Sequence, residues 1–134
     1  MRPFLIVIIL SVVVIGAVLG SRQIFSPSRI EIEPPSVDLG DIARNGGIVS
    51  ASVQVANRGK RPLEINRLST SCGCTTAKMD QSPIAPSASR TLTITFDPMV
   101  HPDQEGPLTR VVYIQTSDPK RPEVEITVTG RVIP

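Results

Sequence analysis

Cys72 and Cys74, separated by a single glycine, are the residues of this chain best suited to chemistry, and they are its two cysteines. In an extended chain, residues two apart point to the same side. Their Cα atoms then lie roughly 6.5 Å apart, at the upper end for a disulfide. A positive φ at Gly73 would bring them closer. Four states are open to the pair: a local disulfide, a dithiol, a metal thiolate, or a bridge to another protein. As a staple such a bridge is poor. Closing a three-residue ring removes only about 1.6 kcal/mol of unfolded-chain entropy, against about 3 kcal/mol for fifteen residues.

The metal reading narrows by ligand count. A closed zinc site needs four ligands, whereas the chain offers two thiolates and a His101 remote in sequence. Cys72 and Cys74 with the nearby Met79 thioether would suit a soft ion such as Cu(I). The spacing favours plainer roles, in which the pair packs as small residues or is bridged locally at a strand-loop corner. His101 sits in the turn-like Val100-His101-Pro102-Asp103 and reads as a solvated loop residue, since no nucleophile can be assigned to it. Asp97, Asp103 and Glu105 read as hairpin-end charges, and Lys60-Arg61 and Lys120-Arg121 as turn charges. If those two basic turns share one end of the fold, they form a basic rim for an acidic partner.

The elements that position these residues follow from composition and periodicity. The 134 residues indicate one domain, and a net charge of +2 excludes the broad basic field of an electrostatic nucleic-acid binder. Three Phe, one Tyr and no Trp leave no stacking platform for bases. One His and two Cys leave little for a metalloenzyme or a catalytic triad, so no catalytic residue is assigned and a non-enzymatic module is expected.

Residues 4–20 are apolar or small throughout and uncharged. As a helix they would reach about 25 Å, slightly short of a bilayer core, and extension to Phe25 completes a span if Arg22 snorkels. The run exceeds the usual signal-peptide apolar core, so residues 1–25 are expected to form a signal anchor and transmembrane helix. The alternative is cleavage after Gly20, prepared by the small residues Val18 and Gly20. Residues 26–36 are assigned to a tether and edge strand, and 37–134 to the folded domain.

Beyond the leader, short runs alternate apolar and polar residues. In 48–56, Val49, Ala51, Val53 and Val55 share a face; in 90–96, Leu92, Ile94 and Phe96; in 123–132, Val124, Ile126 and Val128. A period of two with polar partners predicts strands with one buried face. Residues 62–68 give a shorter strand, and 108–116, apolar on both faces at Val111–Ile114, a central one. Residues 30–33 and 37–42 form an N-terminal strand broken by Pro34 and Pro35, which belongs at a sheet edge. No helix is expected after residue 25. About seven short strands with turn residues between them predict an all-β, immunoglobulin-like sandwich. The inter-sheet disulfide and Trp usual in antibody domains are missing.

The motif order then becomes informative. Asp38-Leu39-Gly40-Asp41-Ile42 is followed by Val55-Ala56-Asn57-Arg58-Gly59, Ser71-Cys72-Gly73-Cys74-Thr75 and Ile84-Ala85-Pro86. Leu92-Thr93-Ile94-Thr95-Phe96-Asp97, Val112-Tyr113-Ile114-Gln115-Thr116-Ser117-Asp118-Pro119 and Val128-Thr129-Gly130 complete it. Over residues 37–132 this resembles the bacterial family known as domain of unknown function 1573, itself similar to immunoglobulin-like domains of the ASH/MSP/Hydin type. Ser87 stands where the family usually has Gly, and Ser117 where it has Asn.

The resemblance implies an exported or envelope-anchored bacterial protein, with Cys72 and Cys74 as the family's recurring cysteines and no established activity. The expectation is a single-pass inner-membrane protein with its C-terminal domain outside the cytoplasm, or a periplasmic or secreted one after cleavage. It would contact a protein partner through a surface or an edge strand, without a cofactor. The rival expectation is a Cu(I)-binding or thiol-redox protein that uses Cys72 and Cys74.

Overall fold

The computed structural model describes residues 26–134. The expected transmembrane helix lies outside these residues. Among the described residues no helix is long and apolar enough to cross a membrane. Eight strands follow in order: β1 (Ile30–Glu33), β2 (Ser36–Ala43), β3 (Val49–Asn57), β4 (Ile65–Thr70), β5 (Thr75–Lys78), β6 (Ser89–Phe96), β7 (Gly106–Thr116) and β8 (Glu123–Ile133). They make two four-stranded sheets, ordered β1-β3-β6-β5 and β2-β8-β7-β4. Pairing is antiparallel except for β2 on β8, which run parallel.

The alternating apolar residues face inward as expected. Val53, Val55, Leu92 and Ile94 from the first sheet meet Val112, Ile114, Ile126 and Val128 from the second in one buried cluster. Each such side chain contributes about 1.5–3 kcal/mol when fully buried. Slipping β6 by one residue would exchange Leu92, Ile94 and Phe96 for threonines, so the pattern fixes the register. β7, flanked by β8 and β4, is the central strand that its two-sided apolar stretch predicts.

Three details differ from the sequence expectation. Pro34 and Pro35 divide the N-terminal strand so that β1 and β2 are edges of different sheets. β5 was not expected, because its inward residues are only Thr75 and Ala77, which give no apolar rhythm. Leu63 stands outside β4 and pairs with Ile84 in an isolated bridge.

The register defines two ends. At one, β3 begins opposite the end of β6 and the start of β5, and β8 ends opposite the start of β7. Ile42, Cys74, Phe96, Leu108 and Val132 form a smaller core cluster there. At the other, the chain enters at Ser26, and Ile30 pairs with Asn57. Eleven-residue β7 runs from one end to the other, a length of roughly 35 Å.

Candidate functional site

The cysteines lie where the chain leaves β4 and crosses to β5, and so passes from one sheet to the other. Cys72 and Cys74 are joined by a disulfide, with Cα atoms 5.2 Å apart. The approach does not come from Gly73, whose φ is not positive. It comes from a tight turn over residues 71–74, in which Thr75 N donates to the Cys72 carbonyl oxygen at 3.1 Å. The Thr70 hydroxyl shares its proton between the carbonyl oxygens of Cys72 and Thr75, at 3.0 and 2.9 Å. Cys74 is buried and Cys72 half-buried.

Two side chains remote from this segment in sequence complete the site. His101 Nε2 lies 3.5 Å from Cys72 Sγ. The Arg110 Nε–H donates to Cys74 Sγ at 3.2 Å, while its other nitrogens donate to the Thr109 carbonyl oxygen and to Gln104 Oε1. The ligand atoms of Cys72, Cys74 and His101 all lie within 4.8 Å of one another. Thus His101, read as a remote loop residue, belongs to the site. Met79 packs against the main core cluster and not the smaller one that holds the cysteines. The signal for Arg110 was an arginine in a strand that is otherwise apolar at its centre; it sits half-buried in β7. Asp97 caps the 3-10 turn Pro98–Val100 by accepting from Met99 N, and Glu105 pairs with Arg44. Among the described residues, Asp97, Asp103 and Glu105 are not gathered into a potential metal cage.

Chemically the site is a disulfide gripped by an imidazole and a guanidinium. A cation beside a sulfur favours the thiolate once the bond is reduced. Two thiolates and an imidazole then form a donor set suited to a soft ion.

The same end carries exposed apolar side chains. Among the described residues, the large hydrophobic ones standing exposed are Ile48 (66 %), Met99 (52 %), Val100 (46 %) and Ile133 (36 %). Ile48 precedes β3, Met99 and Val100 lie in the turn leading to His101, and Ile133 closes β8.

The opposite end is basic. The two turns containing Lys60 and Lys120-Arg121 do share it, and together with Arg29 and Arg58 they line a pocket of about 440 Å³. Asn57, fully buried, holds the pocket wall. Its Nδ2 donates to the Arg61 and Ile84 carbonyl oxygens, and its Oδ1 accepts from Gly59 N and Arg29 N. Asp118 is also buried. Burial opposes its ionisation, but donation from the backbone N–H groups of Ile30, Lys120 and Arg121, with the Arg121 charge, outweighs this and holds its pKa below the usual carboxylate value.

The sequence profile of a family described as "Protein of unknown function (DUF1573)" matches residues 30–132, which include the Cys-Gly-Cys segment and both ends of the sandwich. The chain belongs to the DUF1573 family. No curated protein matches it. The DUF1573 domain is similar in structure to a protein of unknown function from Porphyromonas gingivalis, with a TM-score of 0.72 and 24% identity, over 84% of this chain and 50% of that one. The chain thus spans half the length of that relative. It is also similar to the ASH/PapD-like domain 7 of human CEP192, with a TM-score of 0.62 and 13% identity over 80% of this chain and 87% of that one. A third similar structure is SSP-19, an MSP-domain-like protein of Caenorhabditis elegans, with a TM-score of 0.54 and 14% identity over 75% of this chain and 97% of that one. At these identities the DUF1573 domain shares a fold with them, the immunoglobulin-like sandwich.

Proposed function

We propose that this DUF1573 domain is a non-enzymatic interaction module, tethered to the bacterial inner membrane by its N-terminal apolar run and docking a protein partner with the end of the sandwich farthest from the tether. One observation carries the reading. Among the described residues, the exposed large apolar ones, Ile48, Met99, Val100 and Ile133, gather at one end, and Ser26 lies at the other. Exposed apolar surface confined to one region of a small domain marks a contact surface. The partner is a protein with a complementary apolar surface, and the domain needs no cofactor to bind it. The experiment is co-purification from chemically cross-linked membranes. Ile48→Asp/Met99→Asp/Val100→Asp should lose the partner while its thermal midpoint stays that of the wild type. Retention of the partner would defeat the reading.

A second reading rests on a different observation, the closeness of His101 and Arg110 to the two sulfurs. In it the docking end carries a reducible disulfide. Two equivalents of an external thiol convert Cys72–Cys74 to a dithiol and leave as their own disulfide, and the freed sulfurs with His101 hold Cu(I). Thiol titration with and without reductant, followed by competition with a Cu(I) chelator, tests it. Two inert sulfurs and no copper retention would discard it.

A further inference from the structure

The basic pocket at the chain-entry end has no role in docking at the far end. Arg29, Arg58, Lys60, Lys120 and Arg121 line it, with Asp118 as the single carboxylate among the described residues. That carboxylate is occupied, because its oxygens accept from the backbone N–H groups of Ile30, Lys120 and Arg121. Glu31 offsets part of the Arg58 charge at 3.3 Å. The whole chain carries only +2, so the excess here is a local concentration and not a share of general basicity.

The pocket is built on the segment that follows the leader in sequence. Pro27 and Arg29 carbonyl oxygens accept from Lys60 N and Arg58 N at 3.2 and 2.7 Å. Gly59 allows this contact: a Cβ there would lie 2.2 Å from Pro27 O and 2.6 Å from Arg29 N. Ser26, which lines the pocket, follows the apolar run ending at Gly20 by six residues. Six residues span at most about 20 Å, which keeps the pocket within about two Debye lengths of any bilayer the run enters.

We infer that this pocket seats the phosphate of an anionic phospholipid headgroup, so that the sandwich stands on the membrane with its apolar end outward. Cationic side chains held near an anionic leaflet are attracted to it, and guanidinium groups bind phosphate oxygens through paired N–H donors. The inference rests on the tethered reading above.

The test uses the full chain in a neutral detergent, titrated with phosphatidylglycerol or phosphatidylcholine and followed by native mass spectrometry. Phosphatidylglycerol should bind at about tenfold lower concentration. Arg29→Gln/Arg58→Gln/Lys60→Gln/Lys120→Gln should remove the preference. Lys60→Gln/Lys120→Gln, which alters two exposed side chains and cannot unfold the core, should narrow it. Lys78→Gln/Arg131→Gln, outside the pocket, should leave it unchanged. Equal binding of the two lipids, or a preference that survives the pocket variants, would overturn the inference. So would displacement of the lipid by micromolar inorganic phosphate, which would mark a free-phosphate site. Alkaline carbonate extraction of membranes separates the two levels. A chain released by carbonate defeats the tether itself, and a retained chain without lipid preference defeats the headgroup site alone.

Discussion

His101 Nε2 lies 3.5 Å from Cys72 Sγ, although 29 residues separate them in the chain. The hydrogen bond from Asp97 N to the Cys74 carbonyl oxygen, 2.9 Å, ties the end of β6 to the cysteine turn, and the capped 3-10 turn that follows delivers the imidazole. Arg110 reaches Cys74 from β7 in the other sheet. The disulfide therefore joins a corner at which both layers supply a side chain to sulfur. Its worth as an entropic staple is small, about 1.6 kcal/mol, so its surroundings matter more than the ring it closes.

Arg110→Gln removes the charge beside Cys74 and keeps a hydrogen-bonding side chain. After reduction with a phosphine, alkylation by iodoacetamide at pH 7 should be several-fold slower in this variant, because less of the sulfur is thiolate. Equal alkylation rates would show that the guanidinium does not act on the sulfur.

Ser87 has φ +65°, a left-handed conformation in which a side chain is strained. Ser87→Gly should raise stability by about 0.5–1 kcal/mol, the relief being partly offset by glycine's greater unfolded-state freedom. A higher urea midpoint with an unchanged slope is the expected result, and a lower midpoint would contradict it.

Gly59→Ala would drive a Cβ into the backbone of residues 27–29. Backbone cannot swing aside as a side chain can. The variant should lose about 2 kcal/mol and become open to proteolysis near Arg29, since the bonds from Arg58 N and Lys60 N to the entering segment would break. Wild-type stability and protease resistance together would contradict this. Gly73, where an added Cβ meets nothing within 4 Å, supplies the control: Gly73→Ala should be nearly neutral.

Asp118 gives a stability contribution with a defined pH window. Its folded-state pKa lies below its unfolded value near 3.8, so the contribution is fully present above that value. It is lost as pH falls through the folded value. The stability lead of the wild type over Asp118→Asn should therefore be greater at pH 6 than in strong acid, measured by thermal midpoints. A lead that grows on acidification would reverse the sign and refute the assignment.

The layers and most strands were legible because burial is written in the chain as alternation. Leu92, Ile94 and Phe96 against three threonines leave one way to pair β6. β5 was illegible because Thr75 and Ala77 carry too little apolar contrast, and it forms through pairing with β6. The pairing of the two basic turns at one end was legible as a possibility and became definite only with the register. The sulfur site was half legible. Cys72 and Cys74 announced themselves by spacing, but His101 and Arg110 arrive through contacts over 29 and 36 residues that no local pattern encodes. Met79 looked suitable because it is near in sequence, yet its packing belongs to the other cluster.

The most direct measurement of the docking assignment is site-specific photocrosslinking of the full chain in bacterial cells. A benzophenone amino acid is placed at Ile48, Met99 or Ile133, and in separate chains at Gln54 or Glu125, exposed strand positions on the two sheets away from the apolar end. The account predicts one discrete protein adduct, of the same mass, at the three end positions and none at the two sheet positions. No adduct at the apolar end, or equal adducts at Gln54 and Glu125, would contradict it.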